Sequence, residues 1–156
     1  GIAEASLSDI MAGAGLTHGG FYKHFRNREQ LIAEALVAAG EAAAEPLSKI
    51  RKEKNLNAVV DSYLSADHRD AATPTCPMAA LGSEAARATG ESRAAAVAVI
   101  DEMVEVLAQG PCSMDGRGEA LVDYATMIGT ITLARILSGT PLSDEILDRA
   151  RRRLRR

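Results

Sequence analysis

The sequence predicts an all-α protein in which a helix-turn-helix unit precedes a larger helical bundle. Alanine, the residue with the highest helix propensity, is abundant, and prolines number only 5 in 156 residues. The sequence also lacks a run of alternating β-branched residues, which a half-buried strand requires. With 47% hydrophobic and 25% charged residues, the chain has the composition of a globular domain with a packed core.

Two short helices are expected at the N-terminal end. Ser6 and Asp9 form an S-x-x-D capping signature, so the first helix should run from about residue 7 to residue 14. A tight connection follows. Thr17 is a good N-cap for a second helix, which we expect to reach about Phe25.

A longer third helix is expected to begin after Asn27. It should run past Gly40 and end or kink around Pro46, because proline removes a hydrogen bond from a helix interior. Glycine and proline breaks divide the rest of the chain into helices at about 56–68, 78–87, 91–109, 118–138 and 143–155. We therefore expect two domains, over residues 1–45 and 46–156.

Two adjacent glycines, Gly19 and Gly20, stand inside the second predicted helix. Each glycine in a helix costs about 1 kcal/mol relative to alanine, so the pair calls for a reason. In a helix-turn-helix motif the second helix enters the DNA major groove. Residues without side chains let the backbone approach DNA, and amide groups at a helix N-terminus bind phosphate.

The residues after the glycines divide into two groups. Phe21 and Phe25 are four apart, so they share one helix face and are expected to pack inward. Tyr22, Lys23 and His24 lie between them and offer a hydroxyl, an ammonium and an imidazole to phosphates. For His24, an equally weighted alternative is a packing and capping role between the two aromatic rings.

The segment GLTHGGFYKHFRNREQLIAEAL, with SLSDIMAGAG before it, resembles the signature of TetR-family transcriptional regulators. The resemblance covers about residues 5–36 and extends to spacing, aromatic residues and glycines. CPMAALGSEAAR, at residues 76–87, resembles a segment in one branch of the family's C-terminal domains. The resemblance implies an all-α homodimer with an N-terminal DNA-binding domain and a C-terminal domain that binds an effector and dimerises. It also implies a further family helix before residue 1.

Carried over residue by residue, the family's DNA contacts fall on Ser6, Ser8, Thr17, His18, Gly19, Gly20, Tyr22, Lys23, His24 and Arg28. We expect Tyr22 and Lys23 to contact phosphates and His18 to read bases. Because glycines carry no base-reading group, the choice of DNA sequence should rest partly on thymine methyl contacts and DNA shape.

Apolar stripes in the C-terminal half indicate a dimer interface. Two stripes at helical spacing provide more apolar surface than one small domain needs, although core packing within one subunit is the alternative. The expected interface residues are Leu121, Ala125, Ile128, Gly129, Thr132, Ile136, Ile146 and Ala150. Two-fold symmetry would place the two recognition helices about one DNA turn apart.

An effector pocket is expected between the middle helices and lined by apolar residues. The candidates, each of which could instead be plain core, are Leu64, Met78, Leu81, Val97, Ile100, Met103, Val104, Tyr124, Met127 and Ile131. Glu84 and Arg87 are available to orient a polar group of the ligand.

Several classes of function do not fit the sequence. The three histidines have no metal-ligand spacing, no nucleophile stands beside a base, and G-x-G-x-x-G fails at His18. We therefore expect no metal, no cofactor and no enzyme. The net charge of −3 excludes a generally basic surface but not a local one. No membrane span is expected. Cys76 and Cys112 form no disulfide framework, which favours the cytoplasm and leaves a redox role open.

The interpretation is a ligand-responsive repressor that binds a palindromic operator in double-stranded DNA as a homodimer. The alternative is a helical small-molecule-binding or interaction protein whose helix-turn-helix no longer binds DNA.

Overall fold

The computed structural model describes residues 6–73, 75–109 and 116–156, with only the backbone described at His18. Cys112, and with it the question of a cysteine pair, lies outside these ranges. Within them the protein is all-α, as predicted, and no strand occurs. The helices are α1 Leu7–Gly13, α2 His18–Phe21, α3 Arg28–Glu53, α4 Leu56–Tyr63, α5 Ala66–Asp70, α6 Pro77–Arg87, α7 Gly90–Ala108, α8 Gly116–Ile136 and α9 Pro141–Leu154.

Short polar side chains fix where the first helices begin. The oxygen of Ser6 accepts a hydrogen bond from the Asp9 amide at 3.1 Å, and that of Thr17 accepts one from the Gly20 amide at 3.2 Å. Asn27 caps α3 in the same way, at 2.9 Å from the Gln30 amide. These caps satisfy amides that have no partner inside the helix, so the three predicted helix starts are confirmed.

Three predicted helix limits are wrong. α2 ends at Phe21 instead of reaching Phe25, because the following residues form tight turns that lead into the extended Asn27. α3 continues through Pro46 to Glu53; the proline is exposed, so water can reach the backbone carbonyl that it leaves without a donor. The helix expected over 56–68 is divided, since Ser65 caps a new helix, α5.

The core lies where α3 packs along α7, α7 along α8, and α8 along α9. Its largest fully buried side chains include Tyr124, Met103, Met127 and Ile131. α3 crosses the expected domain boundary at residue 46 without interruption. The division into 1–45 and 46–156 therefore stays a prediction.

Within the described ranges, no helix combines the length and the apolar character that crossing a membrane requires.

α3 approaches α7 closely at Gly40. A Cβ atom on Gly40 would lie 2.5 Å from Cγ2 of Val99, which is nearer than two carbon atoms can approach without repacking. Glycine is therefore required here by the neighbouring helix, although it weakens the helix that contains it.

We expect Gly40→Ala to lower the free energy of unfolding by about 1–3 kcal/mol, because the added methyl overpacks the contact with Val99. Gly82→Ala in α6 is the matched control: a Cβ there meets no atom within 4 Å, so its helix propensity should raise stability by up to about 1 kcal/mol. Urea unfolding monitored by circular dichroism measures both. Equal effects of the two substitutions would contradict the packing argument.

Candidate functional site

α1 and α2 are joined by a turn that glycine makes possible. Gly15 has φ +68°, in the left-handed region that other residues rarely adopt. The Leu16 amide donates to the Met11 carbonyl at 2.8 Å, and the Gly15 amide donates to the Ala12 carbonyl at 3.0 Å. This is a Schellman motif, which ends α1 and turns the chain directly into α2.

The two glycines of α2 have different surroundings. A Cβ on Gly20 would lie 3.4 Å from Oγ1 of Thr17, whereas a Cβ on Gly19 would meet nothing within 4 Å. Neither glycine has a positive φ. The described part of the fold therefore gives no steric reason for glycine at position 19.

Aromatic packing anchors α2 on its buried side. Phe21 is 1% exposed, and its ring stacks on that of Phe25 with the centroids 5.4 Å apart. Tyr22 meets the Phe21 ring edge-on at 5.0 Å and is itself 63% exposed. Lys23 and His24 are exposed. His24 therefore does not fill a core position between the phenylalanines.

Among the predicted DNA contacts, Ser6 and Ser8 precede α2 in the sequence and Arg28 follows it. Ser8, like Ser6, is exposed, and Arg28 is half-buried at the start of α3. Ser6 donates its hydroxyl proton to Asp9 at 2.5 Å while accepting from the backbone, so its hydroxyl is committed within the chain. The side chain of His18, the predicted base reader, lies outside the described residues.

Most of the predicted effector residues lie in the core. Leu64, Met78, Met103, Val104, Tyr124, Met127 and Ile131 are buried, and Leu81 and Ile100 are half-buried. Val97 is 57% exposed, because α7 turns Ala95, Ala96 and Val99 inward and Val97 outward. It therefore does not line a buried pocket.

A cavity of about 390 Å³ lies among α3, α4, α5 and the start of α6. Met103 is the predicted effector residue that lines it. The remaining lining residues are Ala42, Ala43, Pro46, Leu47, Ser62, Tyr63, Ser65, Asp67, His68, Ala71, Thr75 and Cys76. We refer to this space as the α3–α5 cavity.

Two residues that line the α3–α5 cavity carry fully buried polar atoms: Oη of Tyr63, which is close to the Cys76 thiol, and Nε2 of His68. Nδ1 of His68 lies 2.6 Å from the Tyr63 carbonyl oxygen, so it carries the proton. Burial lowers the pKa of His68, and the charge of Arg135 lowers it further. The imidazole is therefore neutral at pH 7 and Nε2 presents a lone pair. Burial raises the pKa of Tyr63, which stays a neutral phenol.

The N-terminal part of the chain matches a known family. Residues 1–35 match the family model described as bacterial regulatory proteins, tetR family. The fold is similar to that in the crystal structure of Escherichia coli NemR in its reduced form, with a TM-score of 0.81 over 99% of this chain and 87% of that chain, at 20% sequence identity. No curated protein matches the sequence at a significant level.

Residues 1–35 therefore carry the N-terminal domain of the tetR family of bacterial regulatory proteins. The resemblance that residues 5–36 indicated is thus confirmed, and so is the expected fold of an N-terminal helix-turn-helix followed by a helical domain. The family consists of regulatory proteins, which agrees with the expectation that the chain is not an enzyme.

α8 is apolar on two opposite faces. One face is buried in the core through Tyr124, Met127 and Ile131. Much of the other is open. The exposed residues of this face are Leu121, Val122, Ala125, Gly129, Leu133 and Ile136. Leu142 of the neighbouring helix α9 is also exposed. The other predicted interface residues, Ile128, Thr132, Ile146 and Ala150, are half-buried.

The start of α3 is attached to α7 by side chains that the sequence did not single out. Oε1 of Glu29, in the first turn of α3, accepts a hydrogen bond from the Glu91 amide at 3.0 Å. Thr89, the N-cap residue of α7, makes no capping bond, so the Glu29 carboxylate takes its place. Gly90, with φ +52°, leaves the space that this carboxylate occupies. Arg26 adds an exposed ion pair with Glu91 at 2.9 Å.

No local signal points to Glu29, since its partner is 62 residues away in the sequence. Tyr63 and His68 were likewise missed as a pair. They meet only because the chain breaks between α4 and α5, which places their rings 4.5 Å apart. Glu84 and Arg87 do not line the α3–α5 cavity. They line a separate cavity of about 490 Å³ between the first turns of α3, the end of α6 and the start of α7.

We expect Glu29→Ala to lower the free energy of unfolding by about 1 kcal/mol, as loss of a helix cap does elsewhere. Glu29→Gln should cost less, since its amide oxygen still accepts while the favourable charge at the helix N-terminus is lost. Glu41→Ala is the control, because Glu41 is an exposed glutamate of the same helix. Urea unfolding measures all three, and an effect of Glu29→Ala no larger than that of Glu41→Ala would contradict the cap.

Proposed function

We propose that the chain is a ligand-responsive transcriptional repressor that binds a palindromic operator as a homodimer. The observation that carries this proposal is the build of α2. Its glycine at position 19 faces open space, while a buried phenylalanine anchors the helix from the opposite side. Tyr22, Lys23 and His24 stand exposed beside it. This arrangement suits a short helix that meets a DNA backbone closely.

The DNA contacts follow from the chemistry of these groups. The N-terminal amides of α2 and the Lys23 ammonium suit phosphate oxygens, and Tyr22 adds a hydroxyl. Such contacts orient a protein on the duplex without reading its sequence. We propose that base reading falls to His18, supplemented by DNA shape.

The open face of α8 supports a homodimer. Apolar faces of this extent on a helix usually mark an interface, and Gly129 and Ala125 allow a second helix to approach closely. A Cβ on Gly129 would meet no atom of its own chain within 4 Å. We propose that α8 pairs with its two-fold copy, with Leu142 of α9 at the edge.

Ligand response is proposed to act through α3. Ala42, Ala43, Pro46 and Leu47 of this helix form one wall of the α3–α5 cavity, and its first turn follows the recognition region. A ligand that fits the cavity in only one orientation of α3 shifts the dimer away from the geometry that fits two successive grooves.

A helical interaction protein without DNA binding is the second candidate. Its supporting observation is that Ser6, one of the expected contacts, uses its hydroxyl within the chain. DNA binding by the intact protein decides between the two candidates.

Selection of bound fragments from random duplexes, using the full-length natural protein, should yield a palindromic consensus. Lys23→Ala should then weaken binding to all sequences and reduce the slope of log K against log salt by about 1.8 per dimer, or 0.9 for each phosphate that is no longer neutralised. Lys52→Ala, at the far end of α3, is the control and should leave the slope unchanged. The absence of any enriched sequence would favour the second candidate.

Gly19→Ala tests the close approach of the backbone. Because its Cβ meets nothing within the chain, the protein should be as stable as wild type or slightly more so. Operator affinity should nevertheless fall by about tenfold or more, which corresponds to about 1.4 kcal/mol. Gly82→Ala controls for a methyl group added elsewhere. Full operator affinity in Gly19→Ala would show that DNA does not approach at this position.

The homodimer is tested by charge placed on the open face of α8. Leu121→Asp combined with Ile136→Asp should convert a dimer into a monomer in sedimentation equilibrium, because paired carboxylates would be desolvated in the interface. Val97→Asp removes an equally exposed apolar side chain from α7 and should leave the dimer intact. Dissociation by Val97→Asp alone would point to a different interface.

A further inference from the structure

We propose that the α3–α5 cavity binds a small cationic amphiphile, a molecule with a compact apolar body and a protonated amine. The apolar body fills the cavity, and the ammonium group pairs with the carboxylate of Asp67 at its rim. The assignment of this molecule as the effector rests on the proposed function, whereas its binding can be measured without DNA.

The walls of the cavity supply the apolar contact. The volume of about 390 Å³ is within the range of small-molecule sites. Ala42, Ala43 and Leu47 from α3 and Met103 from α7 line it. Leu47 and Met103 are buried, and a methionine adapts its flexible side chain to bodies of different shape. These walls accept an apolar body whatever charge it carries, so the choice of ligand falls to the polar groups.

Most polar atoms of the cavity wall are not available to a ligand. The hydroxyl oxygen of Tyr63 and Nε2 of His68 are fully buried, so a molecule in the cavity reaches neither. Oγ of Ser65 caps α5 by accepting from the His68 amide at 3.1 Å, and Cys76 is buried. The remaining polar side chains among the described lining residues are exposed, at the rim: Ser62, Asp67 and Thr75.

Asp67 gives the rim a negative charge. It is the one acidic residue among the described residues that line the cavity, and it makes no ion pair within the described part of the chain. Arg69 of the same helix pairs with Asp70 and Asp144 instead, at 2.7 and 2.5 Å. His68 does not neutralise the carboxylate, because burial lowers the pKa of its imidazole. A cation from solution can therefore pair with Asp67.

The charge at the rim selects among ligands of similar shape. An ammonium group beside Asp67 gains a charge-assisted hydrogen bond. A ligand carboxylate would be repelled by Asp67, and the described lining residues offer it no lysine or arginine. An alcohol keeps the apolar contact and loses the charge attraction. Because Asp67 is exposed, water and salt weaken this attraction, so the preference for the amine should be modest and should decrease with salt.

Calorimetric titration of the full-length natural protein without DNA tests the proposal. The probes are 2-phenylethylamine, 1-naphthylmethylamine and 1-aminoadamantane, each beside the alcohol and the carboxylic acid with the same apolar group. At least one amine should bind about fivefold more tightly than its alcohol and about tenfold more tightly than its acid. This advantage should decrease when salt is raised from about 50 mM to about 500 mM. Binding by no amine, or amines that bind no more tightly than their alcohols, overturns the proposal.

Asp67→Asn locates the ammonium group. The substitution keeps the shape of the side chain and removes its charge, so it should weaken the amine by about fivefold and leave the alcohol unchanged. Glu41→Gln is the matched control and should bind the amine like wild type, because Glu41 is an exposed carboxylate of α3 that does not line the cavity. Equal losses in the two variants would indicate attraction by the overall charge of the protein and would overturn the proposal.

A partly filled cavity shows where the apolar body lies. Ala43→Leu enlarges a half-buried side chain on the α3 wall, so it should weaken the amine and its alcohol alike by about tenfold. Ala38→Leu, at an exposed alanine of α3 outside the cavity, is the control. Unchanged binding in a folded Ala43→Leu variant places the ligand elsewhere and overturns the proposal. Since Asp67 is exposed, Asp67→Asn provides an independent test if Ala43→Leu does not fold.

Operator binding is measured separately in the presence of the same amine. Amine binding without any change in operator affinity leaves the ligand assignment standing and removes its role as effector. Release from the operator by a compound that binds equally well to Asp67→Asn supports ligand response and overturns the assignment of this ligand class.

Discussion

The packing of α3 against α7 is the constraint on which the rest of the structure depends. The two helices are held together at two separate places. At Gly40 the missing side chain lets Val99 approach the α3 backbone, and at Glu29 a carboxylate caps the first turn of α7. Two points of attachment fix both the distance and the direction of one helix relative to the other. The start of α3, and therefore α2 before it, takes its orientation from the C-terminal helices.

α8 depends on the same arrangement from the other side. Its inner face joins α7 and α9 through Tyr124 and Ile131, and its outer face carries exposed leucine, valine and isoleucine. A chain that needed α8 only for its own core would gain nothing from apolar residues on both faces. α2, the α3–α7 pair and the outer face of α8 therefore form one connected series within the chain.

Local chemistry accounts for what the sequence could predict. Ser6, Thr17 and Asn27 cap helices through bonds that span three residues, so these helix starts are readable from the sequence alone. Buried positions such as Met127 and Ile131 follow from helical spacing. The effect of Pro46 could not be predicted, because it depends on whether the proline faces solvent. The length of α2 depends on how the chain turns back towards Asn27.

The α3–α5 cavity and the Glu29 cap on α7 both depend on contacts between segments that are distant in the sequence. The sequence therefore could not reveal them. Helical spacing identifies residues that face inward, but it does not separate those that fill the core from those that leave a space. Met103 and Met127 look alike in the sequence, yet only Met103 lines the α3–α5 cavity. Glu29 has the pattern of an ordinary exposed glutamate in a first helical turn, and only the tertiary structure brings the α7 amide to it.

The continuity of α3 through Pro46 has a mechanical consequence. From Pro46, on the cavity wall, to Arg28, at its first turn, the helix spans about 27 Å at 1.5 Å per residue. A rigid rod of this length that tilts by about 5° at one end moves its other end by about 2.4 Å, close to half a helical turn. Because α7 is attached to α3 at Gly40 and Glu29, the two helices would tilt together. In the proposed homodimer the displacements of the two copies of α2 would add, to a total of several ångströms.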